Sequence, residues 1–360
     1  MADFSSFLEN LTTPNNAVRA AAETEYDRLK GDRSSGLPFL LLSCLQNGST
    51  KSNIRVLSAV LLRRVLIQDE DSGYHKMNAT EQLQLKTGLL TIMTAERDPY
   101  LKARICDIVG ELAGYILEPA DWPEVVPYTY SCIQSADSLE KETGLALMGM
   151  IADRVVEIMA TQNSFASAVS LFERCLMDES DYGKVMVAAI RSLGSIVPII
   201  PDESQVEQFE KLVPIIMNSL QKLVKASIDG TLSAIAAATY VETLIEMAED
   251  EHHFFDSHLA LTYEASTTIF EHKAVPMSLR HLCLEFVITL CTNSPKKTRK
   301  ISGPSAGKAL QTKGQCWFSS RVLPLCVVMM KDIDDDAQWD TAAIPEDPLE
   351  SSTESDIGGK

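Results

Sequence analysis

One apolar template, with positions i, i+3, i+4, i+7, i+8 and i+11, returns along most of this chain, and it constrains the fold more than any other feature. It is filled by Ile54, Leu57, Ser58, Leu61, Leu62 and Val65, then by Ile105, Ile108, Val109, Leu112, Ala113 and Ile116. It comes back as Met186, Ala189, Ile190, Leu193, Gly194 and Val197, and as Ala237, Tyr240, Val241, Leu244, Ile245 and Ala248. Leu279, Leu282, Cys283, Phe286, Val287 and Leu290 give another copy. A weaker one starts at Leu145, with Met148, Gly149, Ala152 and Val156, and Asp153 interrupts it. Each set forms one broad stripe on an α-helix. The starts at 54, 105, 145, 186, 237 and 279 are separated by 51, 40, 41, 51 and 42 residues.

Those separations are close to the roughly 40–47 residues of HEAT and armadillo repeats. A second apolar helix is expected ahead of each stripe, over Leu37–Gln46, Leu83–Thr94, Trp122–Gln134, Phe165–Met177, Phe209–Val224 and His258–Phe270. Turns follow at Lys51-Ser52-Asn53, Asp98-Pro99, Asp137, Asp181, Asp229 and Pro276, where Asp, Asn and Ser suit a helix cap and Pro a first turn. Strand signals are nearly absent, since Asn47-Gly48 lies between two helical patterns. The expected fold is all-α: a HEAT-repeat solenoid, a right-handed superhelix of antiparallel A- and B-helices. About seven pairs are expected, with a partial eighth A-helix around Arg321–Lys331. Such pairs bury a core only against their neighbours and present a concave face that wraps protein partners. Five B-helices carry a cation in their first turns: Arg55, Lys102 or Arg104, Lys141, Lys184 and Arg280. The pattern reads as a ladder of ion pairs to neighbouring turns or as a row of partner contacts.

At 360 residues the chain exceeds what one hydrophobic core sustains, which fits an extended repeat array. With 45% hydrophobic residues, 17 Gly and 15 Pro, it has the composition of a folded chain. Against 50 Asp and Glu stand 32 Lys and Arg, a formal charge of -18. This average surface repels phosphate backbones and anionic lipid headgroups and favours basic protein partners. The eight cysteines are scattered with no C-x-x-C pair, as in a reduced cytosolic or nuclear protein. The first residues, Met1-Ala2-Asp3-Phe4-Ser5, lack a basic and an apolar region, and no window nears 18 uninterrupted apolar residues. Neither secretion nor a membrane span is expected.

Several segments resemble one family. Ala17-Val18-Arg19-Ala20-Ala21-Ala22-Glu23 leading to Leu29, then Leu37-Pro38-Phe39-Leu40, resembles the importin-beta N-terminal domain. Arg55-Val56-Leu57-Ser58-Ala59-Val60-Leu61-Leu62-Arg63-Arg64 is similar to its second-repeat B-helix, in wording nearest the importin beta-3 branch. Trp122-Pro123-Glu124 resembles the opening of its fourth repeat, and Lys331-Asp332-Ile333-Asp334-Asp335-Asp336-Ala337-Gln338-Trp339 resembles the acidic loop of its eighth. The resemblance implies a nuclear import receptor that binds Ran-GTP, phenylalanine-glycine nucleoporins and basic cargo such as ribosomal proteins or histones. It implies no cofactor, and localisation to cytoplasm, nucleus and nuclear pore. Ran contacts would come from Arg63, Arg64, Lys102 and Asp107, with Asp334, Asp335 and Asp336 in the loop. Nucleoporins would dock near Leu171, Phe172, Leu212 and Ile216, residues that as readily pack a core.

The family continues through more than twice as many repeats, so a natural short form, a fragment and an incomplete gene model all remain open. The resulting division is 1–120 for repeats 1–3, 121–300 for repeats 4–7, 301–317 for a disordered insertion-like loop, 318–340 for the partial eighth repeat and 341–360 for a flexible acidic tail.

Sharper motifs fare worse. Gly303-Pro304-Ser305-Ala306-Gly307-Lys308-Ala309 resembles a P-loop, but the glycines are one residue too close and no Ser or Thr follows the lysine. His252, His253 and His258 with Asp250, Glu251 and Asp256 lack the H-E-x-x-H spacing of a metal helix and read as a solvated turn, so no metal site is assigned. Pro295-Lys296-Lys297-Thr298-Arg299-Lys300 reads as a localisation signal or as a loop closing the seventh repeat. No catalytic set can be assembled from residue order, so an enzyme is not expected. The rival is a HEAT scaffold of another class, a phosphatase-regulatory or assembly platform.

Overall fold

The computed structural model describes residues 4–32, 35–68, 73–116, 121–231, 233–302 and 317–330. The chain divides into two compact units, 1–301 and 302–360. Among the described residues every regular element is helical.

The first unit is a stack of antiparallel pairs. Helices α1 (Phe4–Leu11) and α2 (Asn16–Gly31) form the first, α3 (Leu37–Gln46) and α4 (Ser52–Arg63) the second, and α5 (Ala79–Ala95) and α6 (Pro99–Tyr115) the third. The fourth is α7 (Val125–Ile133) with α8 (Ser138–Met150), followed by the short α9 (Ala152–Gln162). Next come α10 (Phe165–Leu176) with α11 (Lys184–Ile196), the short α12 (Glu203–Glu210), then α13 (Val213–Ile228) with α14 (Ala234–Asp250). The pair α15 (Leu259–Glu271) and α16 (Met277–Asn293) precedes α17 (Pro295–Ser302). Each B-helix packs on the next, from α4 through α6, α8, α11 and α14 to α16.

The stripe residues build this stack. Ile54, Ser58 and Leu62 are buried, as are Ile105, Ile108, Val109, Leu112 and Ala113, then Met186, Ala189, Ile190 and Leu193, and Leu279, Cys283, Phe286 and Leu290. Each large side chain so buried contributes about 1.5–3 kcal/mol of transfer free energy. Hydroxyls in the core are bonded along or across helices: Ser58 donates to the Ile54 carbonyl at 2.8 Å and Ser219 to the Leu176 carbonyl of the preceding pair at 2.7 Å. Tyr240 donates to the Ile216 carbonyl at 3.2 Å.

Helix ends follow local chemistry, with some corrections. Asp98 and Asp137 cap α6 and α8 through bonds to the Tyr100, Leu101 and Leu139 amides. Asn78 and Glu81 form a capping box that starts α5 four residues before the expected Leu83. Asp181 does not cap α11: it lies at φ 49° in the turn Ser180–Gly183, and Gly183 at φ 80° precedes the helix. Asp229 stands at the C-terminal end of α13, and Ser233 caps α14. The weak stripe at Leu145 ends because the chain bends at Ile151, after which α9 buries Val155 and Met159 on its own course. The expected A-helix from Phe209 is two elements, α12 and α13, with Pro214 in the first turn of α13.

The basic segment expected as a loop is helix α17. Thr298 is buried and hydrogen-bonded to Tyr263 at 2.7 Å, while Asp256 receives bonds from Ser294 at 2.5 Å and Lys297 at 2.6 Å. In the second unit Phe318–Val322 is a π-helical turn continued by α18 (Leu323–Met330). Of the loop expected over 301–317, Ile301 and Ser302 belong to α17. Residues 303–316, the P-loop-like run, Asp334, Asp335, Asp336 and the acidic tail lie outside the described residues.

Candidate functional site

Three of the first-turn cations are staples between repeats. Arg55 pairs with Glu96 at 2.5 Å and also donates to the Leu45 carbonyl at 2.9 Å. Lys102 meets Glu140 at 2.6 Å, and Lys141 meets Asp178 at 2.5 Å. Each of these B-helices is thereby tied to the pair that follows. Lys184 instead pairs with Asp181 of its own turn at 3.0 Å, and Arg280 donates to the Phe270 carbonyl at 2.7 Å with its guanidinium over that ring. The ladder reading therefore accounts for Arg55, Lys102 and Lys141.

The residues that the resemblance assigned to Ran separate into two groups. Arg63 ends α4 and reaches Glu111 of α6 at 3.1 Å, Arg64 is exposed, and Asp107 on α6 pairs with Arg104 at 2.8 Å. Lys102 forms the second group: its side chain has no exposed surface and pairs with Glu140. Its place three residues before Ile105 already puts it on the buried stripe.

Leu171, Phe172, Leu212 and Ile216 form one apolar cluster. All four are buried where α10, α12 and α13 meet, and Phe172 packs against Phe209 with ring centres 6.3 Å apart. An open groove of about 240 Å³ lies elsewhere on the A-helix side, between α5 and the approach to α7, lined by exposed Leu83 with Leu90, Thr94 and Trp122. The exposed leucine just outside the buried row Leu85, Leu89 and Ile92 was its sequence signal.

A larger groove, about 880 Å³, crosses the B-helices α6, α8, α11 and α14. Small residues make it possible: Ala103, Ala146, Gly149, Ala188 and Ser195 line it. A Cβ at Gly194 would lie 2.9 Å from the Thr243 methyl, so glycine there lets α11 approach α14 closely. Asp107, Glu142, Glu246 and Asp250 supply its negative charge, and Arg104, Lys184 and Arg191 its positive charge. Burial pushes the Glu142 carboxyl above its usual range, with Lys184 opposing the shift and Asp181 adding to it. The pairs Glu142/Ala146, Arg191/Ser195 and Glu246/Asp250 recur at i, i+4 beside the apolar stripes, a row that sequence reasoning passed over.

Burial pushes Cys106 and Cys283 up to about 12 and Cys175 up to about 11, which keeps these thiols protonated. His253 is spent on Asp256 at 2.8 Å, and among the described residues no three His, Cys, Asp or Glu converge on a metal position.

Residues 97–265 match the family model described as IPO5-like, TPR repeats. Tetratricopeptide repeats run about 34 residues, whereas the spacing here is that of the longer HEAT pair. The fold is similar to the crystal structure of Kap121p, with a TM-score of 0.71 at 20% identity over 96% of this chain and 31% of that one. It is also similar to Kap121p bound to RanGTP, TM-score 0.70 at 20% identity over 96% of this chain and 30% of that one. Kap121p bound to Nup53p gives TM-score 0.70 at 20% identity over 97% and 30%. The chain thus spans less than a third of the length of these structures. The stacked helix pairs of this chain thus share the solenoid fold of Kap121p, and its middle repeats are similar to the IPO5-like family model.

Proposed function

We propose that this chain is an arm of a nuclear import receptor that engages Ran-GTP, nucleoporins and basic cargo, and that it moves between cytoplasm and nucleus through the pore. The observation that supports the reading is that Arg63, at the end of α4, meets Glu111 of the next B-helix, α6, which also carries Asp107, in a solenoid like that of Kap121p. These groups keep exposed surface after their internal pairing, as a protein interface of opposite and matching charge requires. Kap121p, whose fold it shares, has been crystallised with RanGTP and with Nup53p. An aromatic side chain from a nucleoporin repeat fits the Leu83 groove between neighbouring A-helices better than the packed Phe172 cluster.

Competition between Ran-GTP and cargo would make delivery a binding exchange, each ligand lowering the other's affinity by the same factor. A pull-down with Ran loaded with GTP or with GDP tests the reading. Capture of the GTP form alone is expected, and equal capture of both forms, or of neither, would sink it.

A further inference from the structure

We propose that the face around the cleft between α12 and α17 pairs with the same face of a second copy of this chain. The inference stands apart from the receptor reading and uses none of the residues named for Ran or nucleoporins.

The cleft, about 550 Å³, is lined on one side by α12 and on the other by the turn 253–258 and Lys297 of α17. Glu203, Glu207 and Glu210 recur at i, i+4 and i+7, so α12 turns one row of carboxylates to the cleft, with Lys211 at its end. Helix α17 supplies the opposite charge. Thr298 is buried and bonded to Tyr263, and Lys297 is held by Asp256, while Lys296, Arg299 and Lys300 stay exposed.

The two walls do not neutralise each other. Ser257 donates to Glu210 at 2.5 Å and ties α12 to the turn. Asp256, its side chain 5% exposed, accepts from Ser294 and Lys297 and ties α17 to the same turn. The walls are thereby held apart by the width of the cleft. Glu203 and Glu207 on one side, and Lys296, Arg299 and Lys300 on the other, have no ion-pair partner among the described residues.

Such a face is self-complementary. A two-fold axis running along the cleft would set α17 of one copy against α12 of the other, twice over, so that carboxylates meet cations at both contacts. Spacing agrees, since Glu203 and Glu207, like Lys296 and Lys300, are four residues apart, about 6 Å along a helix. The arrangement is closed and stops at two copies. The formal charge of -18 on each chain repels at long range, but this is screened beyond about 8 Å at physiological ionic strength, and paired groups in contact lie well inside that length. A small polar interface of this kind gives a weak dimer, with a dissociation constant on the order of 0.1 mM.

The test is sedimentation equilibrium of the full chain at physiological ionic strength, up to about three times that dissociation constant. A reversible dimer is expected. Lys296→Glu with Lys300→Glu makes both walls acidic, and Glu203→Lys with Glu207→Lys makes both basic, so each variant alone should self-associate at least tenfold more weakly. An equimolar mixture of the two should pair within about threefold of the wild-type strength, because the acidic walls of one variant meet the basic walls of the other. Recovery on mixing also shows that both variants fold. A monomeric wild type, variants that dimerise unchanged, or a monomeric mixture of two variants that keep the wild-type thermal midpoint would overturn the inference. A monomeric wild type that captures an acidic peptide through Lys296 and Lys300 would overturn it too and assign the face to another protein. Ran-GTP capture reads the receptor claim separately, so either can fail while the other stands.

Discussion

The ammonium of Lys102, with no exposed surface, lies 2.6 Å from a carboxylate oxygen of Glu140 in the next repeat. Arg97 reaches the same carboxylate at 2.9 Å, so one acidic side chain joins the turn and the B-helix of the third pair to the fourth. Removing one partner of a buried pair leaves an uncompensated charge, at about 3–5 kcal/mol. Lys102→Met should therefore cost about 3 kcal/mol, at the low end because Arg97 remains. Lys102→Met with Glu140→Leu should regain at least half of that loss. Urea midpoints of the two variants decide, and a double variant no more stable than the single one would contradict this account.

Acidification should weaken the same joints. Burial pushes the Glu96 carboxyl up, but the Asp98 and Arg97 amides and the Arg55 guanidinium outweigh it, and the net shift is downward. Asp178 and Asp256 are also lowered on balance, against their burial, by Lys141 and by Lys297 respectively with nearby hydroxyls. A carboxyl lowered in the folded state contributes stability above its unfolded value that is lost as pH falls through the folded one. Unfolding free energy should thus be flat near neutrality and drop below about pH 4, where these carboxylates take up protons. Glu96→Gln should flatten that drop.

Glu142 should behave oppositely. Its raised carboxyl means that ionisation in the folded state is penalised, so Glu142→Gln should stabilise the chain at neutral pH. The gain should vanish below the ordinary glutamate range, where both states are neutral. Thermal midpoints at pH 7 and pH 4 would measure it.

Two glycines make a paired test of packing. A Cβ at Gly144 of α8 would lie 2.8 Å from the Cys132 Cβ and 2.9 Å from the Ile133 backbone nitrogen, so Gly144→Ala should cost about 1–3 kcal/mol. At Gly114 of α6 nothing lies within 4 Å, and Gly114→Ala should stabilise the helix by up to about 1 kcal/mol. Chemical denaturation of both variants reads the contrast.

Surface and core can be told apart on the A-helix side. Phe172→Ala should cost about 3–5 kcal/mol and lower binding only through unfolding. Leu83→Asp should leave stability within about 0.5 kcal/mol yet lower the affinity for a phenylalanine-glycine peptide. A Leu83→Asp variant that binds such a peptide unchanged would remove that groove from the proposal.

The sequence by itself determined the repeat. An apolar stripe of period 3.6 must be buried, and its return every 40 to 51 residues leaves stacking on neighbours as the way to bury it. It also settled the caps at Asp98 and Asp137, because a short side chain bonding amides two or three residues ahead is a local event. Only the tertiary structure decided what the flanking residues do. Lys102 became a buried staple and Phe172 a core ring, while Glu246, Asp250 and Ser192 came to line one groove. Those outcomes depend on which helix lies beside which, and at what distance. Partners such as Lys102 and Glu140 stand 38 residues apart in sequence, a separation that no local pattern encodes.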